Sequence, residues 1–312
     1  MSLTAFDPLD IADLSDRVYF ITGGTAGLGS ETISLLATKR PAHVFFSGRN
    51  SRKAEELIRK VNKTSPETKL TFIQCDLSDL SSVKQAGQSL LAQIDRLDVF
   101  IANAGVMALP PGKSKDGYEI QFATNHLGHA LLTQMLLPLM LRTAEQPGSD
   151  VRIINLSSSA YKQAPRGGFD FDSLKTDQDS LGGMIPGGKL CRYGQSKLAN
   201  MSYAQALARR FPAIKSVSVQ PGYIKTDLFA TMSTLNMLPL RFIVPMDGGW
   251  TPVEQGCWNQ VWAATTARQN LEDGAYYVPV AKKGKLETSQ SRDARLADRL
   301  YEWTEKELAS WM

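Results

Sequence analysis

From residue 17 onward, short and almost continuously apolar runs alternate with longer stretches whose apolar residues recur every three or four positions. The short runs, at 18–22, 44–47, 70–74, 99–102, 151–156, 216–219 and 276–278, are rich in Val, Ile, Phe and Tyr and predict strands buried on both faces. Between them, 30–38, 51–62, 80–93, 118–141 and 195–211 predict helices. Strands that alternate with helices predict an α/β fold, a doubly wound parallel sheet covered by helices. No repeat or low-complexity linker interrupts this rhythm, so one domain is expected over 16–312.

Three segments fall outside the rhythm. Residues 1–15 are an acidic N-terminal extension. Residues 159–192 have no clean period and contain three Gly-Gly pairs, at Gly167, Gly182 and Gly187 with their successors. A long excursion of this kind predicts a lid. In a C-terminal extension at 282–312, Leu296, Leu300, Trp303 and Leu308 recur at helical intervals among charges. They predict an amphipathic helix packed on the body. A membrane-surface or partner helix is the alternative, against which the frequent acidic residues weigh.

Composition narrows the functional classes. With 43% hydrophobic residues in 312, the chain can bury a sizeable core. Its 35 basic and 31 acidic residues are dispersed, whereas a nucleic-acid partner needs a concentrated basic footprint, so none is expected. Cys75, Cys191 and Cys257 are far apart and form no CxxC pair, which suggests neither a disulfide framework nor a metal site. No apolar run approaches a membrane span, and residues 1–16 carry four aspartates where a leader would be basic or apolar. A soluble protein of the reducing cytoplasm is expected.

After the first strand comes Thr22-Gly23-Gly24-Thr25-Ala26-Gly27-Leu28-Gly29, followed by a helix. Glycines at a strand-to-helix turn can merely make the turn tight. They also let the backbone approach a pyrophosphate at the helix N-terminus, and the strand before and helix after are the context for that reading. The spacing T-G-x-x-x-G-x-G resembles the short-chain dehydrogenase/reductase family, whose fold is the Rossmann type. Further matches follow in the family's order over 17–230. Asp76-Leu77 corresponds to its adenine-contacting pair, and Asn103-Ala104-Gly105 to its N-A-G motif. Asn125, Ser158, Tyr193 and Lys197 correspond to its catalytic set. Pro221-Gly222-Tyr223-Ile224-Lys225-Thr226 corresponds to the P-G motif whose Thr holds the nicotinamide carboxamide. Within the family, the stretches around Asn125 and Tyr193 most resemble the retinol-dehydrogenase-like and WW-domain-oxidoreductase-like group. The gap between Ser158 and Tyr193 is longer than the common family pattern, which bears on pocket shape.

The resemblance implies a hydride exchanged between nicotinamide and an alcohol/ketone pair, with a cofactor held by Gly23, Thr25, Ala26, Gly27, Leu28, Gly29, Asp76, Leu77, Asn103, Ala104, Gly105, Tyr193, Lys197, Pro221, Gly222, Ile224 and Thr226. Reducing a ketone needs a proton donor for the developing alkoxide, and Tyr193 takes that role. Lys197, one turn later on the same helix face, is expected to lower its pKa with help from the oxidised nicotinamide. Ser157 and Ser159 compete with Ser158. Ser158 is chosen because the family uses the second serine after Asn-x and because Ser157 should point to the opposite face. Asn125 is implied to hold a water between Lys197 and solvent.

The second strand ends Ser47-Gly48-Arg49-Asn50, with no carboxylate to accept from a ribose 2′-hydroxyl. Arg49, with Asn50 beside it, suits a 2′-phosphate, so NADP(H) is expected. His126 and His129 have a spacing that could hold a metal, but no third ligand is evident, and packing or capping is expected. Cys191 is expected to be an inert thiol. The Phe-, Met- and Leu-rich stretch 228–246 is either core or a substrate wall. If a wall, it predicts a lipophilic ketone or secondary alcohol. A cofactor-bound isomerase or cyclase and a non-catalytic NADP(H)-binding regulator are the alternatives. The resemblance also implies a homodimer or homotetramer through the long helices at 118–141 and 195–211, one face of which the C-terminal extension could block.

Overall fold

The computed structural model describes residues 6–181, 188–224 and 250–312. Its main sheet has strands β1 (Val18–Thr22), β2 (His43–Gly48), β3 (Leu70–Gln74), β4 (Val99–Ala102), β5 (Arg152–Leu156) and β6 (Lys215–Val219). A two-residue pair, β7 (Tyr223–Ile224) and β8 (Trp250–Thr251), stands apart, and β9 (Tyr276–Val278) and β10 (Lys282–Lys283) complete the main sheet. The order is β10-β9-β6-β5-β4-β1-β2-β3, parallel except for β10 against β9. Ile21 of β1 stands in register with Phe46 on one side and Ile101 on the other. The chain leaves β1 toward β2 and β3 and returns to its other side at β4. This makes a topological switch point, where open α/β sheets bind ligands at the carboxyl ends of their strands.

Helices cover both faces. On one lie α1 (Gly27–Ala37) and α2 (Ser51–Thr64). On the other lie α3 (Leu80–Leu91), α4 (Gly128–Ala144) and α5 (Gly188–Arg210). Alternation along β1 assigns its side chains accordingly. Tyr19 and Ile21 pack with Ile33 and Leu36 of α1, whereas Phe20 packs with Leu131 and Leu198 of α4 and α5. α6 (Trp258–Thr265), not singled out in the sequence, joins the first face through Val261 and Ala264. The doubly wound single domain expected from the sequence is the one observed.

The extensions have definite places. Ile11 and Leu14 are buried in the α1-side core, and Phe6 meets Trp258 edge to face at 6.2 Å. At the other end α7 (Ala294–Leu308) starts at Asp293, which accepts the N–H groups of Arg295 and Leu296. It buries Ala297, Leu300 and Leu308 and lies over the groove between α4 and α5. A second copy using that face of the long helices would therefore have to displace α7. Below the sheet, Asp150 pairs with Arg17, with the wholly buried Arg152 and with Arg268.

The described part of the excursion is anchored. Phe169 and Leu174 are buried in the α4-side core, and the Leu174 carbonyl accepts from Glu119 N–H at 2.9 Å. Gln195 on α5 accepts from Asp170 N–H and donates to the Gln178 side chain, each at 2.9 Å. Residues 182–187, the middle of the predicted lid, and the candidate wall 228–246 lie outside the described residues.

Candidate active site

The turn after β1 is shaped by backbone demands. Gly23 and Gly27 have φ of +67° and +53°, in the left-handed region that favours glycine. A Cβ on Gly29 would collide with the Gly23 carbonyl oxygen, so the turn closes only with glycine there. A Cβ on Gly27 would meet nothing within 4 Å. The N-cap of α1, Ala26, offers no side-chain bond, leaving first-turn N–H groups available to an anion. Gly23, Thr25, Ala26, Gly27, Leu28 and Gly29 all line a cleft of about 740 Å³. An open, uncapped, glycine-lined turn fits the pyrophosphate of a dinucleotide.

At one end of the cleft, Arg49 is exposed on its wall, and among the described residues no carboxylate pairs with it. A Cβ on Gly48 would lie 2.8 Å from Thr25 Cγ2, so Thr25 fills the space an acidic side chain at 48 would need. Asn50 is not among the lining residues. Its side chain instead caps α2 by accepting Lys53 N–H at 3.0 Å, because a helix start leaves that donor without a partner. Asp76 and Leu77 line the cleft, with the Asp76 carboxylate bonded to the N–H and hydroxyl of Ser78 at 3.0 and 2.7 Å. Asn103, Ala104 and Gly105 form its floor. The Asn103 side chain is itself a cross-link, donating to the Thr22 carbonyl at 2.7 Å and accepting from Gln260 at 3.0 Å.

At the other end, α5 brings Tyr193 and Lys197 to the cleft one turn apart. The Lys197 ammonium nitrogen lies 5.6 Å from the Tyr193 ring centre and donates to the Leu156 carbonyl at 3.0 Å. Burial pushes the Tyr193 phenol up to about 12, opposed by a hydrogen bond with Ser158, and burial pulls Lys197 down to about 8. The lowered phenol expected from the sequence is thus not a property of the chain alone. Desolvation outweighs the Ser158 contact where no nicotinamide charge contributes. Ser158 also accepts Ala160 N–H at 3.2 Å and is not itself a lining residue, whereas Ser157 lines the cleft and donates its hydroxyl to the Lys197 carbonyl at 2.8 Å. Ser159 meets the Tyr223 hydroxyl at 3.0 Å.

Asn125 lies behind Gly105, in a π-type turn (Ala123–Leu127) before α4. Its side chain accepts Val106 N–H at 2.7 Å and donates to the Val106 carbonyl and to the Ser196 hydroxyl, each at 2.9 Å. Gly105 stands beside both Asn125 and Lys197: a Cβ there would lie 3.2 Å from Asn125 Oδ1 and 3.3 Å from Lys197 Nζ. Pro221 lines the cleft. Gly222 has φ +98°, and Ile224 is buried against Gly256, so neither is a lining residue. Thr226 lies outside the described residues. An apolar stretch that the sequence motifs did not mark, with Val106, Met107, Leu109 and Ile120, completes the wall near Tyr193. The signal was present as four apolar residues within 106–109, directly after the N-A-G motif.

His126 and His129 point to different partners. His126 bonds the Thr304 hydroxyl at 2.9 Å, and His129 meets Thr22 Oγ1 at 2.8 Å and the Asn125 carbonyl at 2.9 Å. Among the described residues no three His, Cys, Asp or Glu side chains form a metal-binding group.

The family model for short chain dehydrogenases matches residues 17–170. An uncharacterized oxidoreductase of Schizosaccharomyces pombe is 37% identical over 303 residues, covering 95% of this chain and 86% of the relative. A short-chain dehydrogenase/reductase of Aspergillus calidoustus is 34% identical over 317 residues, covering 96% of each. The crystal structure of an uncharacterized protein of Mycobacterium paratuberculosis superposes with a TM-score of 0.73 at 25% identity, covering 98% of both chains. With the glycine turn, the switch-point cleft and the Tyr193–Lys197 pair in place, these likenesses show that the chain belongs to the short-chain dehydrogenase/reductase family, oxidoreductases that use a nicotinamide cofactor.

Proposed function

We propose that the protein is an NADP(H)-dependent carbonyl reductase or alcohol dehydrogenase acting on a lipophilic ketone or secondary alcohol, with Asn125, Ser158, Tyr193 and Lys197 as its catalytic set. The observation that carries the proposal is the pairing of Tyr193 and Lys197 at the end of a glycine-floored cleft whose wall there is apolar, with Ser158 hydrogen-bonded to Tyr193 from beside the lining. When bound, the nicotinamide supplies or takes up the hydride. In the reducing direction the Tyr193 hydroxyl donates its proton to the oxygen that becomes the alcohol, and the Ser158 hydroxyl donates a hydrogen bond to the same oxygen. The high phenol pKa keeps Tyr193 protonated and ready as the acid at neutral pH. Lys197, held down to about 8, returns a proton to Tyr193 and is resupplied from solvent by way of a water that Asn125 would hold, and it also holds the cofactor's ribose.

Arg49 and the closed Gly48 position support NADP(H) over NAD(H), with Asn50 contributing through its cap of α2 rather than by lining the cleft. Met107, Leu109 and Ile120 support a lipophilic substrate. The excursion at 159–192, between two residues of the catalytic set, is read as a lid over the substrate, its described stretch 169–178 being anchored to α5 and the core. Three free cysteines suit a reducing compartment, the cytoplasm. No helix among the described residues is long and apolar enough to cross a membrane.

The test is NADPH consumption across ketones and aldehydes graded by size, with product mass measured beside it. Rising kcat/KM with apolar bulk supports the reading. Product formed without net NADPH consumption would indicate an isomerase or cyclase, and tight NADPH binding with no product a regulator.

A further inference from the structure

His129 is 3% exposed, and burial holds its pKa down to about 4, so its ring is neutral at working pH. Lys197 is the charged group that faces it, and acts in the same direction. Nδ1 stands 2.9 Å from the Asn125 carbonyl, an oxygen that can only accept, so Nδ1 carries the ring hydrogen. Nε2 is therefore an acceptor, and the Thr22 hydroxyl at 2.8 Å donates to it. The oxygen of that hydroxyl accepts the N–H groups of Asn103 and Ala104, each at 3.0 Å. Every hydrogen in this series has one place, and the series runs in one direction from the cleft floor to the Asn125 peptide.

The groups so joined belong to three elements. Thr22 ends β1, just before the glycine turn, Asn103 and Ala104 follow β4, and Asn125 precedes α4. Resting on the function proposed above, we infer that His129 is a positioning residue: as its Nδ1–H tautomer it holds the Asn125 carbonyl in register with the cofactor floor at 103–105. Leucine at 129 would leave the Asn125 carbonyl and the Thr22 hydroxyl without their shared partner. Asparagine keeps an N–H at the Nδ1 position but cannot reach Thr22.

Three readouts on the full chain test this. Nitrogen-15 NMR of the ring should show the Nδ1–H tautomer with no titration between about pH 5 and 8. NADPH affinity, measured by fluorescence, should fall at least about threefold in His129→Leu and in Thr22→Val, and the double variant should be no worse than the weaker single, because both cut one series. For a ketone the wild type reduces, kcat should fall roughly 10- to 100-fold in His129→Leu, with the ketone KM within about threefold and His129→Asn in between. An Nε2–H tautomer, a ring titrating near its ordinary value, or losses that multiply in the double variant would each overturn the inference. The NMR readout needs neither cofactor nor turnover, so it decides the tautomer even if the ketone panel refutes the proposed activity.

Discussion

The Nε2 of His126 lies 2.9 Å from the hydroxyl of Thr304, joining the turn that carries Asn125 to the middle of the C-terminal helix. Phe122 reinforces this joint by meeting Trp303 edge to face at 5.9 Å. Thr304→Val keeps the shape and removes the hydroxyl, leaving a buried ring nitrogen without a partner. The expected cost is about 1 to 3 kcal/mol, read from urea unfolding. A loss below about 0.5 kcal/mol would mean that shape alone holds α7 in place.

Tyr193→Phe should keep the fold and NADPH binding while turnover falls at least about a hundredfold, since a positioned acid contributes roughly 10²- to 10⁴-fold. Near-wild-type turnover would remove Tyr193 from the reaction. Lys197→Ala should lower both turnover and NADPH affinity, and intact affinity would restrict Lys197 to the proton path.

Strands such as 18–22 and 99–102 were legible because burial on both faces leaves almost no polar residue to blur them. The cofactor turn and the Tyr193–Lys197 pair were legible because their chemistry needs set spacings along the chain. α5 begins seven residues before the predicted helix, at Gly188, since glycines there read as breakers. α6 carries buried polar residues, Asn259 and Gln260, that hide its apolar face. His129 meets Asn125 of the preceding turn but also Thr22 at the end of β1, a juxtaposition across the fold that no local pattern encodes. The anchors of the excursion, Gln178 with Gln195, are likewise tertiary.

The choice of cofactor depends on Arg49. A charge-assisted bond to a 2′-phosphate contributes roughly 1.5 to 3 kcal/mol, about 10- to 150-fold in affinity. kcat/KM should favour NADPH over NADH at least about tenfold. Arg49→Ala should remove most of that preference by weakening NADPH while NADH kinetics hardly change. A variant still tenfold selective would place phosphate recognition elsewhere.

Acid should destabilise the fold below neutrality. Burial lowers His126 to about 3 and His129 to about 4 from 6.5, so the folded chain binds fewer protons than the unfolded chain as pH falls through about 6.5. The stability they contribute is fully present above that pH and declines below it. By pH 5 the loss is about 2 kcal/mol for each histidine. Half-buried His43, also held down to about 4, adds to the decline, so unfolding midpoints measured from pH 7 to 5 should fall, and in a variant lacking His126 or His129 the decline should shrink by about a third.

The carboxylate of Asp150 serves Arg17, Arg152 and Arg268 at the end of the sheet remote from the cleft. Losing one partner of a buried ion pair typically costs about 3 to 5 kcal/mol, a large share of a domain's net stability. Asp150→Ala should therefore show little change in the kinetics of whatever protein survives. Its signature would be abundance: fewer folded molecules in the cell, each working normally, so that a defect seen in the organism would trace to protein turnover and not to the chemistry of the cleft.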